Sequence, residues 1–195
     1  MLAIALPDSI NGEPPIWLVL NVRTNRWCVF TGWHAVSTVV HGDRMFFGTP
    51  DGRVFEANVG ATDDGRPYTG VYIPVFDQLG VGGFKVASMV RAVVRGLGEA
   101  SVQLSCQSDF TVDLPPPPDA TPSATGSDKW GQAKWGQAKW GSANSSVVLN
   151  QDWVHVAGDG EVISIAHQIT SGDVLPIDTE FIRTDVLFTA GDIQS

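Results

Sequence analysis

What this 195-residue sequence lacks narrows its function before anything it contains. It has no G-x-S-x-G, H-E-x-x-H, C-x-x-C or phosphate-loop pattern, so the usual short signatures of hydrolases, zinc proteases, thiol redox enzymes and nucleotide binders are missing. There are only two cysteines, Cys28 and Cys106, far apart and in no metal-ligand spacing. Two buried free thiols are the simpler expectation, and a disulfide between them stays open. Positive charge is scarce: 12 Lys and Arg stand against 21 Asp and Glu, for a net charge of −9 and a pI near 4.7. A protein that grips phosphates builds a basic patch. Residues 142–195 instead carry eight acids and one base, Arg183, which disfavours stable binding of DNA or of an anionic membrane by this end. No apolar run approaches the ~20 residues that a membrane helix needs. The opening MLAIALP has neither the basic flank nor the apolar length of a signal peptide. The expectation is a soluble protein with no cofactor and no membrane span.

What is present points to β structure. The chain is 43% hydrophobic and 17% charged, too apolar for a disordered protein, and 21 Gly and 12 Pro punctuate Val-rich segments. LAIAL, IWLVL, WCVF, AVSTVV, RMFFG and RVFEA fill the first 60 residues at intervals of roughly ten. Turn signals stand between them at Asn11-Gly12, Thr24-Asn25, Gly42-Asp43 and Asp51-Gly52. After a polar loop at residues 61–70, VYIPVF, KVASMVRAVVRG and ASVQLSCQSDF read as longer strands. KVASMVRAVV has helical propensity, but its β-branched content and flanking glycines favour a strand. SSVVL, WVHVAG, EVISIAHQI and FIRTDVLFTAG close the chain. WVHV and VISIAH alternate as half-buried strands do, and Asp159-Gly160 reads as a hairpin turn between them. The expectation is therefore two β parts, residues 1–60 and 61–195, the second interrupted by a long excursion at residues 113–145.

Candidate chemistry is thin. GVGGFK carries glycines and a lysine without phosphate-loop spacing and reads as a bend. His34, His41, His155 and His167 show no ligand spacing. His155 and His167 flank the expected hairpin and so could face each other, but satisfied sheet histidines are commoner than metal ligands. Asp63 and Asp64 beside Gly65 read as a solvated loop sooner than a Ca²⁺ site. The distinctive feature is KWGQAKWGQAKWG at residues 129–141, which follows a proline run and holds three of the seven Trp and three of the four Lys. A five-residue period flips faces on a strand and rotates by about 140° per step on a helix, so the three indoles cannot form one stripe. Three Trp on a loop mark a contact surface sooner than a low-complexity expansion tolerated in a loop, and each has a lysine beside it for cation–π pairing or an acidic partner. Trp130, Lys134, Trp135, Lys139 and Trp140 are the candidate interface residues.

NVRTNRWCVFTGW, GDRMFFGTPDGRVFEAN, TDDGRPYTG and the Trp repeat after its proline break resemble the later part of tail nozzle proteins of short-tailed bacteriophages. These are also called tail tubular protein B-like or packaged-DNA stabilisation proteins. The closing segment from WVHVAGDG to VLFTAGD resembles them too, though less specifically. The resemblance implies an all-β chain: incomplete propeller-like blades at 1–60, then a β-sandwich-like domain at 61–195 with a long Pro/Trp-rich loop. It implies a non-enzymatic virion protein in a ring, commonly six-fold, below the portal and adaptor. Its partners would be adaptor, fibres or plug, and a companion propeller chain. DNA would pass through without stable binding. The family is typically much longer, whereas this chain has room for about one and a half blades. The rival function is a carbohydrate-binding tail module using the Trp repeat, disfavoured because a Gly-spaced loop offers no preorganised platform. A second rival, an envelope hydrolase, needs paired carboxylates that the sequence alone does not place.

Overall fold

Short apolar runs become strands, and the Gly, Asn and Asp positions between them become tight turns, in a computed structural model that describes residues 2–6, 16–97, 101–120, 147–150, 152–172 and 179–191. The described residues form an all-β structure of several small open sheets, with no helix among them. Backbone contacts divide the chain into two units, residues 1–59 and 60–195.

Among its described residues unit 1 holds six strands: β1 (Leu2–Ala5), β2 (Ile16–Asn21), β3 (Arg26–Thr31), β4 (Ser37–His41), β5 (Arg44–Gly48) and β6 (Val54–Glu56). They form two antiparallel three-stranded sheets, ordered β1-β2-β3 and β4-β5-β6. The two-residue turn between β4 and β5 shows how sequence dictates register. Gly42 and Asp43 both take positive φ, 54° and 62°, the twist that lets His41 pair with Arg44. Between the sheets lies an aromatic layer. Trp33, on the connection from β3 to β4, packs edge-on to Trp17 and Phe30 of the first sheet and stacks on Phe47 of the second at 5.1 Å. Phe47 in turn stacks on Phe55. The Trp17 indole donates to the Trp33 carbonyl at 3.0 Å, so burying this ring leaves no polar atom unpaired.

Unit 2 begins with a small hairpin, β7 (Thr62–Asp63) and β8 (Arg66–Pro67), where sequence reading expects only a loop. Asp64 and Gly65 make its turn with φ of 48° and 79°. The strands that follow are β9 (Thr69–Tyr72), β10 (Lys85–Leu97), β11 (Val102–Ser108), β12 (Val147–Asn150), β13 (Trp153–Gly160), β14 (Ile163–Thr170) and β15 (Thr179–Ala190). One sheet is ordered β11-β14-β9. In the other, β10 is central, with β15 along one edge and β13 then β12 along the opposite edge. A single apolar cluster draws on both: Ala87, Val90, Ala92 and Val94 of β10, Leu104 of β11, Val156 of β13, and Ile163 and Ile165 of β14. KVASMVRAVV is thus a strand, with Val90 and Val94 turned into this core and Val86 left exposed.

Three expectations are corrected. Asp159-Gly160 is not a hairpin turn: β13 runs through it and pairs with β10, while β14 lies in the other sheet. VYIPVF is a strand only as far as Tyr72, and Pro74, which has no N–H to give a ladder, lies beyond its end. Strand β14 is buried on both faces rather than half-buried. Its second face is largely polar, and Ser164 and Thr170 on it are hydrogen-bonded while Gln168 Oε1 has no partner among the described residues. Ser164 Oγ donates to the Pro74 carbonyl at 2.7 Å, and Thr69 and Thr170 share a bond of 2.8 Å. The side chain of Gln107, opposite Ser164, clamps the backbone of Asp113 ahead of the proline run, accepting at 2.6 Å and donating at 3.1 Å.

Candidate functional site

The five residues that sequence reading puts forward as an interface, Trp130, Lys134, Trp135, Lys139 and Trp140, lie outside the described residues, as does the Asn11-Gly12 turn. The described part places its own candidate surfaces elsewhere.

The first is a sheet face in unit 1. The register of β1, β2 and β3 sets Leu2, Ile4, Leu18, Leu20, Trp27 and Val29 on one side. Trp17, Val19 and Phe30 lie on the other side, where Trp17 and Val19 are buried and Trp17 and Phe30 meet the aromatic layer. The first side carries no charge, yet Leu2, Ile4, Trp27 and Val29 remain 42–58% exposed. A strand covered on one side alternates apolar and polar residues, whereas IWLVL is apolar at every position, the pattern of a strand covered on both. The signal was present in the sequence, but only the register turns it into a face.

The second surface is the solvent side of the β10 sheet. Cross-strand register pairs Arg91 with Asp185 and Arg95 with Glu180. Arg91 donates to Asp185 through Nε at 2.9 Å, and its guanidinium lies 4.7 Å from the centre of the Trp153 ring. Arg183 reaches the same carboxylate at 3.2 Å. Hydrogen bonding from Arg91 holds the Asp185 carboxyl below its usual range. Trp153 therefore meets a cation of its own sheet. Two acids of the closing segment, Asp185 and Glu180, are likewise met by arginines.

The histidines are not brought together. His155 is exposed and opposite Met89 in one sheet, while His167 is buried in the other, opposite Tyr72. His167 Nε2 bonds Thr184 Oγ1 of the facing sheet at 2.8 Å, its ring packs on Phe181 and Tyr72, and Nδ1 lacks a well-formed hydrogen bond. Burial lowers its pKa, and the backbone of Tyr72 and Ile165 opposes that only in part. Lys85 is fully buried without a carboxylate bond; its ammonium donates to the carbonyls of Gly83 at 2.8 Å and Glu161 at 2.6 Å, stapling the start of β10 to the turn before β14. Both thiols are free. Cys106 is half-buried and its pKa is raised by desolvation, but Cys28 is exposed, against the expectation that both are buried. Among the described residues, no three His, Cys, Asp or Glu side chains are grouped to hold a metal ion, and no helix is long and apolar enough to cross a membrane. No family model matches the chain, and no curated protein or solved structure matches it.

Proposed function

We propose that this chain is a non-enzymatic structural subunit of the tail of a short-tailed bacteriophage, part of the nozzle through which DNA leaves. The observation that carries the reading is the open apolar face of β1-β2-β3. A three-stranded sheet covered on one side only belongs to a larger assembly, because so continuous an apolar surface normally marks an interaction site. Two small antiparallel sheets layered through aromatic side chains fit adjacent blades of a propeller-like body. The two larger sheets of unit 2, sharing one core, fit a β-sandwich-like domain. The acidic balance supports passage of DNA without retention, since like charge denies phosphates a grip.

In this reading the Trp repeat contacts ring neighbours or other tail proteins, and the virion is where the chain works. Mass spectrometry of purified particles, with labelling electron microscopy to locate it, tests the proposal. Copies of the chain at the tail below the portal are the expected result. Its absence from particles made in infected cells overturns the assignment.

A further inference from the structure

We infer that the open edge of β15 receives an extended strand of a partner protein, with apolar residues at alternate positions and basic residues between them. The backbone sets the first part of this. β15 pairs with β10 along its whole length, from Ala190 opposite Lys85 to Thr179 opposite Gly96. Among the described residues no strand lies along its other edge. Two bonds fix which of its backbone groups are engaged. Ser88 Oγ donates to the Leu187 carbonyl at 3.1 Å, and the Gly191 N–H donates to the Phe84 carbonyl at 2.7 Å. Leu187 and Gly191 therefore face β10. In an antiparallel ladder the N–H and C=O of one residue point to the same side, and the side alternates along the strand. Thr184, Val186, Phe188 and Ala190 thus present theirs to the open edge. Such a row of donors and acceptors is matched by another extended backbone, and not by a helix or a compact loop.

Length and composition set this edge apart. Strands average about 5–6 residues, and β15 has 12. Edges are commonly blunted by proline, lysine or a bulge. β15 has no proline and no lysine, and its one extra residue, Ile182, leaves Arg183 to Ala190 unbroken. The extra residue at the other register shift, Ser88, belongs to β10. The core is also unfinished along this edge. Phe181, Thr184, Val186 and Phe188 lie opposite the buried Val94, Ala92, Val90 and Ala87, so they turn inward, yet all four stay half-buried. An added strand with an apolar residue at every second position would cover them. Charge selects what lies between. Residues 60–195 hold sixteen acids and eight bases, a balance of 8 − 16 = −8, which draws a basic segment and opposes pairing with β15 of a second copy. The inference goes beyond the tail reading and does not depend on it.

The experiment is amide exchange of the full chain, resolved by NMR, with two synthetic peptides of about eight residues. One alternates valine with lysine and the other valine with glutamate. In the free chain the amides of Thr184, Val186 and Phe188 should exchange several-fold faster than those of Asp185, Leu187 and Thr189. The lysine peptide should slow those three saturably, and the glutamate peptide should bind several-fold more weakly. Methylating the peptide nitrogens that face β15 should abolish the effect, whereas methylating the alternate set should not. Val186→Pro removes an N–H that β10 does not use, so it should fold and bind the lysine peptide several-fold more weakly. Should that variant not fold, the methylated peptides decide the matter on the wild-type chain. Slow exchange at Thr184, Val186 and Phe188 in the dilute free chain would mean that the chain covers its own edge. Protection that grows with chain concentration would assign the edge to a second copy. Either result, or no response to the lysine peptide, would overturn the inference.

Discussion

Gly158 lies where β13 passes closest to β11, and a single methyl there tests how tightly the two sheets of unit 2 are held. A Cβ on Gly158 would sit 2.6 Å from both Cβ and Sγ of Cys106. Carbon atoms in contact rest at about 3.5–4.0 Å, so roughly an ångström of overlap must be relieved. Neither strand is free to give. Gly158 is registered against Ala87 of β10, and Cys106 against Ile165 within a seven-residue ladder to β14. Rotating the thiol clears Sγ but leaves Cβ in place, so the backbones themselves must part. Forced overpacking of this kind costs about 1–3 kcal/mol, several degrees of melting temperature for a unit of this size. Gly158→Ala should therefore melt lower and unfold at less denaturant, followed by circular dichroism. The control is Gly82→Ala, where an added Cβ meets nothing within 4 Å, and whose effect should stay within about 0.5 kcal/mol. Removing the obstruction supplies the second check. Cys106→Gly should cost less in the Gly158→Ala background than alone, with a coupling of about 0.5–3 kcal/mol. Equal stability of the two alanine variants, or strict additivity in the cycle, would show that the sheets yield easily and the reasoning is wrong.

Further expectations concern pH, DNA and the repeat. Because burial lowers the pKa of His167, the unfolded chain binds its proton more readily. Stability should be full above the ordinary histidine range, near ~6.5, and fall as pH drops through and below it. Denaturation at several pH values, with His167→Leu flattening that slope, checks the sign. The chain should pass a DNA column at ~0.15 M salt without retention, and tight binding there would count against a channel role. Changing Trp130, Trp135 and Trp140 together to Ala should leave a folded protein that no longer enters virions. Normal incorporation would make the repeat a tolerated expansion.

Most strands were legible from the sequence, the short β7–β8 hairpin aside, and so was the β4–β5 pairing across Gly42-Asp43; distant partners were not. Val, Ile and aromatic runs bounded by Gly42-Asp43 or Asp51-Gly52 announce themselves locally, because turn geometry and β-branching act within a few residues. What joins β10 to β15, or separates β13 from β14, is decided by contacts far apart in sequence, such as Lys85 with Ala190. The hairpin inferred from Asp159-Gly160 failed on that account: the dipeptide permits a turn, but Val156 earns more in the shared core beside β10. The same limit hid the charged surface. Arg91 and Arg95 look like scattered bases until register sets Asp185 and Glu180 opposite them. IWLVL, apolar at every position, held a local signal, but only the register of β1, β2 and β3 made its open side a face.

Pairing also changes what the net charge means. Counted along the sequence, the closing segment is uniformly acidic, but in the fold Asp185 is flanked by Arg91 and Arg183, and Glu180 is bonded by Arg95. These pairs are largely solvent-facing and add little stability. Their larger effect is on the field, which they reduce across the β10–β15 surface. Asp152, Asp159 and Glu161 are exposed and lie at the two ends of β13. Repulsion of a passing polyanion would thus be concentrated at the strand ends, with the sheet face closer to neutral and carrying Trp153 and Leu187 in the open. A near-neutral face bearing exposed apolar groups suits contact with protein, and acidic strand ends suit an opening that DNA must not hold. In the proposed nozzle one β unit would present both, because register sets arginines against Asp185 and Glu180 while Asp159 and Glu161 stay exposed.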